Sequence, residues 1–363
     1  MDRDEAVRFL ARAPMIHVAS TTPSGAPILR TVHGVVVDGA VAFHGAPAGE
    51  KMEAVGREAV VSAEEVIASI PSYFIDPERA CPATTYFHSV QVHGPLEEVT
   101  DPAAKARVLD ALMTKYQPEG GHVPIDADHP LYRKPVAGLL VLRVPLERLD
   151  GKAKLGQNRG PAELGQVLEG LWQRGLPDDP RAVDLVRAAN AERLAQAGMP
   201  LAVPPFLAAP EGVTLLCAPA PHHAEQAAAL LADAYWNQDL SPATIAAAHL
   251  GATAWVAALD ARGDLIGSAR AISDRAKRAW IYDVIVTPAW RKHALGRALV
   301  RLLLDHPAVR HVATVHLHTR DQQRFYEKFG FVVTSHTPPT PGGPSFPRSE
   351  MLLTRNAASA RLS

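Results

Sequence analysis

Hydrophobic and polar positions change period along the chain, and the changes mark out three regions. The first opens with Ala6, Val7, Phe9 and Leu10 at near-helical spacing, which predicts a short helix over 3–12. Alternating, β-rich runs follow. Strands are expected over 15–20, 28–37, 41–44, 59–67, 86–99 and 139–144, with turns at Pro23-Ser24-Gly25 and Asp38-Gly39. A helix is expected over 48–57. Another is expected over 102–116, opened by Thr100-Asp101 with Pro102 at the first helical position. Hairpins with few helices predict a small antiparallel β-barrel.

The second region, 160–198, reads as two helices over 162–174 and 180–197. Pro200, Pro204, Pro205 and Pro210 then mark a stiff connector. From 213 onward the pattern is mixed. Strands are expected over 214–218, 253–259, 265–272, 279–286, 312–319 and 331–334, and helices over 222–236, 295–304 and 321–329. The expected division is 1–159, 160–212 and 213–363, an α+β chain with an antiparallel barrel followed by a mixed α/β domain.

Composition narrows the function classes. A chain of 363 residues suggests two domains. The 37 Lys+Arg against 38 Asp+Glu give no global attraction to nucleic acid or to an anionic membrane, so any anion site must be local. Cys81 and Cys217 are too few for a disulfide framework or a Cys-based zinc site, and no metal site is expected. The acidic start lacks the order of a signal peptide. The longest apolar stretch, 136–149, is interrupted by Arg143, Pro145, Glu147 and Arg148, and falls short of the ~20 residues a membrane helix needs. A cytoplasmic protein with neither membrane nor nucleic-acid partner is expected.

The local anion site lies in the third region. An apolar strand ends at Val286, a basic loop carries Arg291 and Lys292, and a helix follows with Leu295, Ala298, Leu299, Leu302 and Leu303 on one face. Between 270 and 310 there are nine basic side chains and three acidic ones. Helix starts carry unpaired N–H groups and partial positive charge, and Gly296 lets a bulky anion approach. A solvated basic face on an amphipathic helix accounts for the charge alone about as well. Further on, Tyr326 lies near the end of a helix stopped by Gly330, where its hydroxyl could protonate a leaving thiolate. Asp283, or else His316 and His318 on one strand face, could take a proton from an amine.

Arg291-Lys-His-Ala-Leu-Gly296 and Tyr326-Glu-Lys-Phe-Gly-Phe331 together resemble the GNAT (Gcn5-related N-acetyltransferase) superfamily over about 213–335. The resemblance implies acetyl-CoA as cosubstrate, held by Ile285, Val286 and the amides of Ala294, Leu295, Gly296, Arg297 and Ala298 beside Arg291, with Tyr326 as general acid. Ala294 stands where the family's first loop glycine is usual.

In the first region Arg30 and Lys51 supply cations for a monophosphate, and Val32, Ser89 and nearby backbone could form a flat apolar slot. Arg30-Thr-Val-His33, Phe43-His-Gly-Ala…Gly-Glu-Lys51 and Tyr86…Ser89-Val90…Gly94 resemble the FMN-binding split barrel of the pyridoxamine 5′-phosphate oxidase-like superfamily, in the branch of nitroimidazole-resistance proteins. Lys152-Ala-Lys-Leu-Gly-Gln-Asn-Arg159 resembles a segment of related split-barrel regulators, with Gly156 in place of Ser. The resemblance implies Arg30, Thr31, Val32, His33, His44, Gly45, Lys51 and Ser89 around FMN, and a homodimer. Seven histidines in this region keep haem as the alternative. The whole chain then reads as a bifunctional enzyme acting on a small-molecule amine and a redox substrate. The competing reading is a flavin or haem sensor with a CoA-binding, non-catalytic partner module.

Overall fold

Helix α1 (Arg3–Arg12) starts where the Asp2 carboxylate accepts the Glu5 N–H at 2.7 Å, and it turns Ala6, Phe9 and Leu10 inward. The computed structural model describes residues 1–198, 209–237, 239–339 and 347–355. After α1 come β1 (Ile16–Thr21), β2 (Pro27–Val32), β3 (Val35–Val37) and β4 (Ala40–Gly45). The run expected as one strand over 28–37 is two strands. A Cβ at Gly34 would lie 2.3 Å from Ile16 Cδ1, so the chain passes there only without a side chain. Asp38 and Gly39 both take positive φ, as a tight hairpin demands. The helix expected over 48–57 is a single 3₁₀ turn, Glu50–Met52, bracketed by Gly49 and Gly56 at positive φ.

Strands β5 (Glu58–Ile70), β6 (Thr84–Pro95) and β7 (Glu97–Glu98) lead to α2 (Pro102–Tyr116), which Asp101 caps by accepting the Ala104 N–H at 2.8 Å. Then come α3 (Arg133–Gly138), β8 (Leu140–Pro145) and β9 (Arg148–Lys154). Sequence reading misses β9, where only Leu149, Gly151 and Ala153 alternate with charged residues; pairing with β6 makes it a strand. The strands form two sheets, β2-β1-β5-β6-β9 and β3-β4-β8-β7. Phe9, Leu10, Ile16, Val61, Val90 and Leu142 fill a core that draws on both. This is the expected antiparallel split barrel, built as two sheets and not as a closed cylinder.

Helices α4 (Pro161–Arg174), α5 (Asp179–Ala189) and α6 (Ala191–Gln196) follow. The break within 180–197 falls at Asn190, whose side-chain amide donates to the Leu155 and Val186 carbonyls at 2.9 and 2.8 Å. The proline-rich connector lies outside the described residues over 199–208. Chain contacts group Met1–Val66 with Tyr86–Lys154 in one unit, and Ile67–Thr85 with the described part of 155–363 in the other. The second unit therefore takes in 67–85 and the helices. Arg174 donates to the Ser69 carbonyl at 2.7 Å, and Gly170 leaves room for the Phe74 ring.

The rest of that unit is β10 (Thr214–Leu216), α7 (His223–Leu230), α8 (Pro242–Leu250), β11 (Ala254–Leu259), β12 (Leu265–Ser273), β13 (Arg278–Val286), α9 (Leu295–Asp305), β14 (Thr314–Thr319), α10 (Gln323–Glu327), β15 (Val332–Thr337) and β16 (Arg348–Thr354). The helix expected over 222–236 stops at Leu230. Neither α8 nor β16 is anticipated, although Ser241 and Pro242 are ordinary start signals for α8. The seven strands lie in the order β10-β11-β12-β13-β14-β16-β15, with β13 and β14 parallel. One face carries α9, where Gly267 lets the Leu299 side chain approach closely. The other carries α7, against Trp255 and Ala257. Helices α4 and α5 are anchored to this unit. Fully buried Trp172 donates to Asp305 at 2.8 Å, and Asp184 accepts the N–H groups of Cys217 and Ala218. No helix among the described residues is long and apolar enough to cross a membrane.

Candidate functional site

The parallel pairing of β13 and β14 ends at Ile281 opposite Leu317. Beyond it Tyr282–Val286 have no β14 partner, while β14 stays paired with β16 through Thr319. Two parallel strands that part leave the β13 edge with open amide groups. Val284, Ile285 and Val286 are half-buried there. The register of β12 on β13 slips by one residue at this point, and Asp283 takes φ 52°, so a bulge turns the strand as it leaves its partner.

The loop after β13 returns to the same place. Gly296, in the first turn of α9, lies within van der Waals reach of Val286: a Cβ on it would be 3.8 Å from Val286 Cγ2 and 3.7 Å from Phe325 Cζ. Ala294 precedes the helix in a left-handed conformation, φ 61°, and Lys292 also has φ 70°. No side chain caps this helix start. Its first amides, on Leu295, Gly296 and Arg297, therefore point outward without intrahelical partners. The amide of Ala298 does not join them, because it donates to the Ala294 carbonyl at 3.0 Å. Leu295 and Ala298 bury their side chains, whereas Arg291, Lys292 and Arg297 are exposed around the opening.

In the first unit, Arg30 projects from edge strand β2 and ion-pairs with Glu50. Lys51 folds back on Gly45: a Cβ there would be 3.3 Å from Lys51 Cε and 3.5 Å from Nζ. His44 is held below its ordinary pKa by burial and by the nearby His33. Arg30, Gly45 and Lys51 are thus tied to the 3₁₀ turn, while His33 influences His44 and sets its own ring 4.6 Å from that of Tyr116. The other expected residues do not join them. Thr31 points to the opposite face and meets His17 Nδ1 at 3.0 Å. Val32 packs on the core. Ser89 lies on β6, with β1 and β5 between it and β2, roughly 14 Å away at ordinary strand spacing.

Residues 2–153 match the family model for pyridoxamine 5′-phosphate oxidase, and residues 219–331 match that for the acetyltransferase (GNAT) family. A pyridoxamine 5′-phosphate oxidase-like domain is followed by a GNAT acetyltransferase domain. Among curated proteins, the uncharacterised N-acetyltransferase ycf52 of Pyropia yezoensis is 34% identical over 74 residues, 20% of this chain and 42% of that protein. The chain thus spans about two fifths of the length of that relative. Among solved structures, an FAD- and haem-binding protein from Mycobacterium smegmatis is 19% identical, covering 42% of this chain and 71% of that one, with a TM-score of 0.36. An aminoglycoside 6′-acetyltransferase type Ii is 24% identical, covering 39% and 96%, with a TM-score of 0.34.

In the GNAT domain, Tyr326 is buried on α10 beside Phe325 and Phe331, at ring distances of 5.0 and 5.9 Å. Burial, then the neighbouring Tyr235, pushes its hydroxyl well above the usual tyrosine range, so the proton stays on. Asp283 departs from its expected role as a base. Arg270 Nε donates to one of its oxygens at 2.6 Å and Trp236 Nε1 to the other at 2.8 Å. That carboxylate is closed and positions the bulge. Sequence reading missed Arg270 and Trp236 because they are distant in the chain. A polar Trp–Arg–Asp cluster carries no spacing signal.

Proposed function

We propose that the protein is bifunctional. Its GNAT domain moves acetyl from acetyl-CoA to a small-molecule amine, and its pyridoxamine 5′-phosphate oxidase-like domain binds FMN for redox chemistry on a second small molecule. The parting of β13 from β14 beside the uncapped start of α9 carries this reading. The open edge of Ile285 and Val286 suits an extended, amide-bearing arm. The amides of Leu295, Gly296 and Arg297, with Arg291 and Lys292, suit the pyrophosphate that ends it.

The amine nitrogen adds to the thioester carbonyl carbon, and carbonyl polarisation falls to the strand amides. The C–S bond then breaks, and Tyr326 gives its proton to the departing thiolate. Tyr326→Phe should lower turnover about 100-fold while leaving acetyl-CoA binding intact. Unchanged turnover would remove Tyr326 from the reaction.

The first domain fits a monophosphate in charge, and Gly45 lacks the Cβ that would crowd Lys51. Phosphate has to displace Glu50 from Arg30. A bound flavin would supply reversible hydride acceptance there. Haem is the second reading, because burial and the nearby His33 favour the neutral imidazole of His44, the form an axial ligand takes. The visible spectrum of the purified protein separates the two: flavin bands, or a Soret band. The split-barrel resemblance implies a homodimer of this domain in the cytoplasm, and the mass of the full-length protein in solution tests the pairing.

A further inference from the structure

With Asp283 closed, the amine's proton needs another acceptor, and the sheet face opposite α9 offers one. The register places Ile272, Trp280, His316 and, beyond the end of pairing, His318 on that face, with Glu350 across from His318. Trp280 stacks on His316 at 4.7 Å and meets His318 edge-on at 5.2 Å. Helix α7 covers Trp255 and Ala257, yet Ile272 and Tyr282 stay 51% and 39% exposed. His318 is exposed and is the first β14 residue past the point where the strands part.

We propose that His318 takes the proton from the attacking amine, and that the Trp280–Tyr282 face seats an amine carried on a flat apolar body. This rests on the acetyl-transfer reading above. Tyr326 belongs to α10, whose neighbour Gln323 bonds Ser349 on the α9 side of the sheet. Acid and base therefore come from opposite faces, one toward the leaving sulfur and one toward the incoming nitrogen. The C–N bond forms, the nitrogen's proton passes to the free imidazole nitrogen, and the C–S bond breaks. Tyr326 protonates the thiolate, and water carries the His318 proton back to Tyr326. The sum is amine plus thioester giving amide plus thiol.

The surroundings keep His318 ready. Burial and the charges of Arg348 and His316 hold its pKa below the ordinary value, and Glu350 opposes them. Glu350 is itself 3.5 Å from His316 Nδ1 and accepts from Ser335 at 3.3 Å, so its negative charge also faces an approaching ammonium.

The test is full-length protein at saturating acetyl-CoA, with tyramine as the flat amine and putrescine as the flexible one. For wild type, log kcat/KM should rise with a slope of about two below the His318 pKa, itself under the ordinary histidine value, from His318 and the amine together, and about one above it. His318→Gln should lose about 100-fold in kcat/KM and show slope one throughout, with acetyl-CoA affinity unchanged. Trp280→Ala should raise the tyramine KM about tenfold and leave that of putrescine unmoved. A His318→Gln protein with the wild-type rate and slope overturns the base assignment while acetyl transfer stands. Equal effects of Trp280→Ala on both amines overturn the seating. A wild type that binds acetyl-CoA but turns over neither amine sinks the transfer reading itself.

Discussion

The two proposed phosphate sites are built in opposite ways. In the GNAT domain the grip is backbone: a parted strand edge and three uncapped helix amides, fixed by the fold. In the pyridoxamine 5′-phosphate oxidase-like domain the grip is side chains, Arg30 and Lys51, and the folded chain has turned one of them onto its own Glu50. Amides held in a helix have no alternative partner to choose. A guanidinium on an edge strand pairs with whatever carboxylate is near. A backbone site is ready before its ligand arrives, whereas a side-chain site has to be opened by it.

Substitutions should separate the two constructions. Arg30→Ala with Lys51→Ala removes two charge-assisted contacts of about 1.5–3 kcal/mol each, so FMN affinity should fall by about 100-fold or more in a flavin titration. Arg291→Ala with Lys292→Ala should cost acetyl-CoA about tenfold or less, because the amides remain. Equal losses at both sites would break the contrast.

A second effect is confined to the second unit. His306 is buried against Trp172, at a ring distance of 5.9 Å, and is pushed down to about 3 by burial and then by Arg275 and Arg310. The unfolded chain binds that proton near 6.5. Stability from this group is therefore complete above 6.5 and drains as pH falls toward 3, by about 1.4 kcal/mol per pH unit. Asp184, raised by burial to about 6, works the other way: its contribution is full below 3.8 and is lost as pH rises through 6. His306→Gln should thus gain about 2 kcal/mol on wild type between pH 6.5 and 5 in thermal melts, with flavin affinity unmoved. A constant gap across that range would count against the assignment. The smallest effect is at Ala294. Ala294→Gly relieves the left-handed conformation and should stabilise the unit by up to about 1 kcal/mol, with no loss of acetyl-CoA binding. A loss of stability would mean that Ala294 is unstrained.

Much of this was legible in the sequence, and the exceptions have physical causes. Helix α9 was readable because Leu295, Ala298, Leu299, Leu302 and Leu303 recur on one face, and these are the residues it buries. Helix α2, from Pro102 to Tyr116, matched its prediction because cap, proline and periodicity agreed. Strand β9 was hidden because its pairing with β6, and not its composition, makes it a strand. The break at His33–Gly34 was hidden because it answers to Ile16, far along the chain. Asp283 looked like a free carboxylate because neither Trp236 nor Arg270 announces itself as its partner. Ser89 was readable as a residue type, but its separation from Arg30 follows from strand order alone.

The central claim is that the GNAT domain performs acetyl transfer. Its most direct measurement is thiol release from acetyl-CoA by the full-length protein, followed against time with and without a primary amine. Free CoA should appear only with amine present, mole for mole with the acetylated product. Tight acetyl-CoA binding with no amine-dependent thiol, whichever amine is supplied, would contradict it.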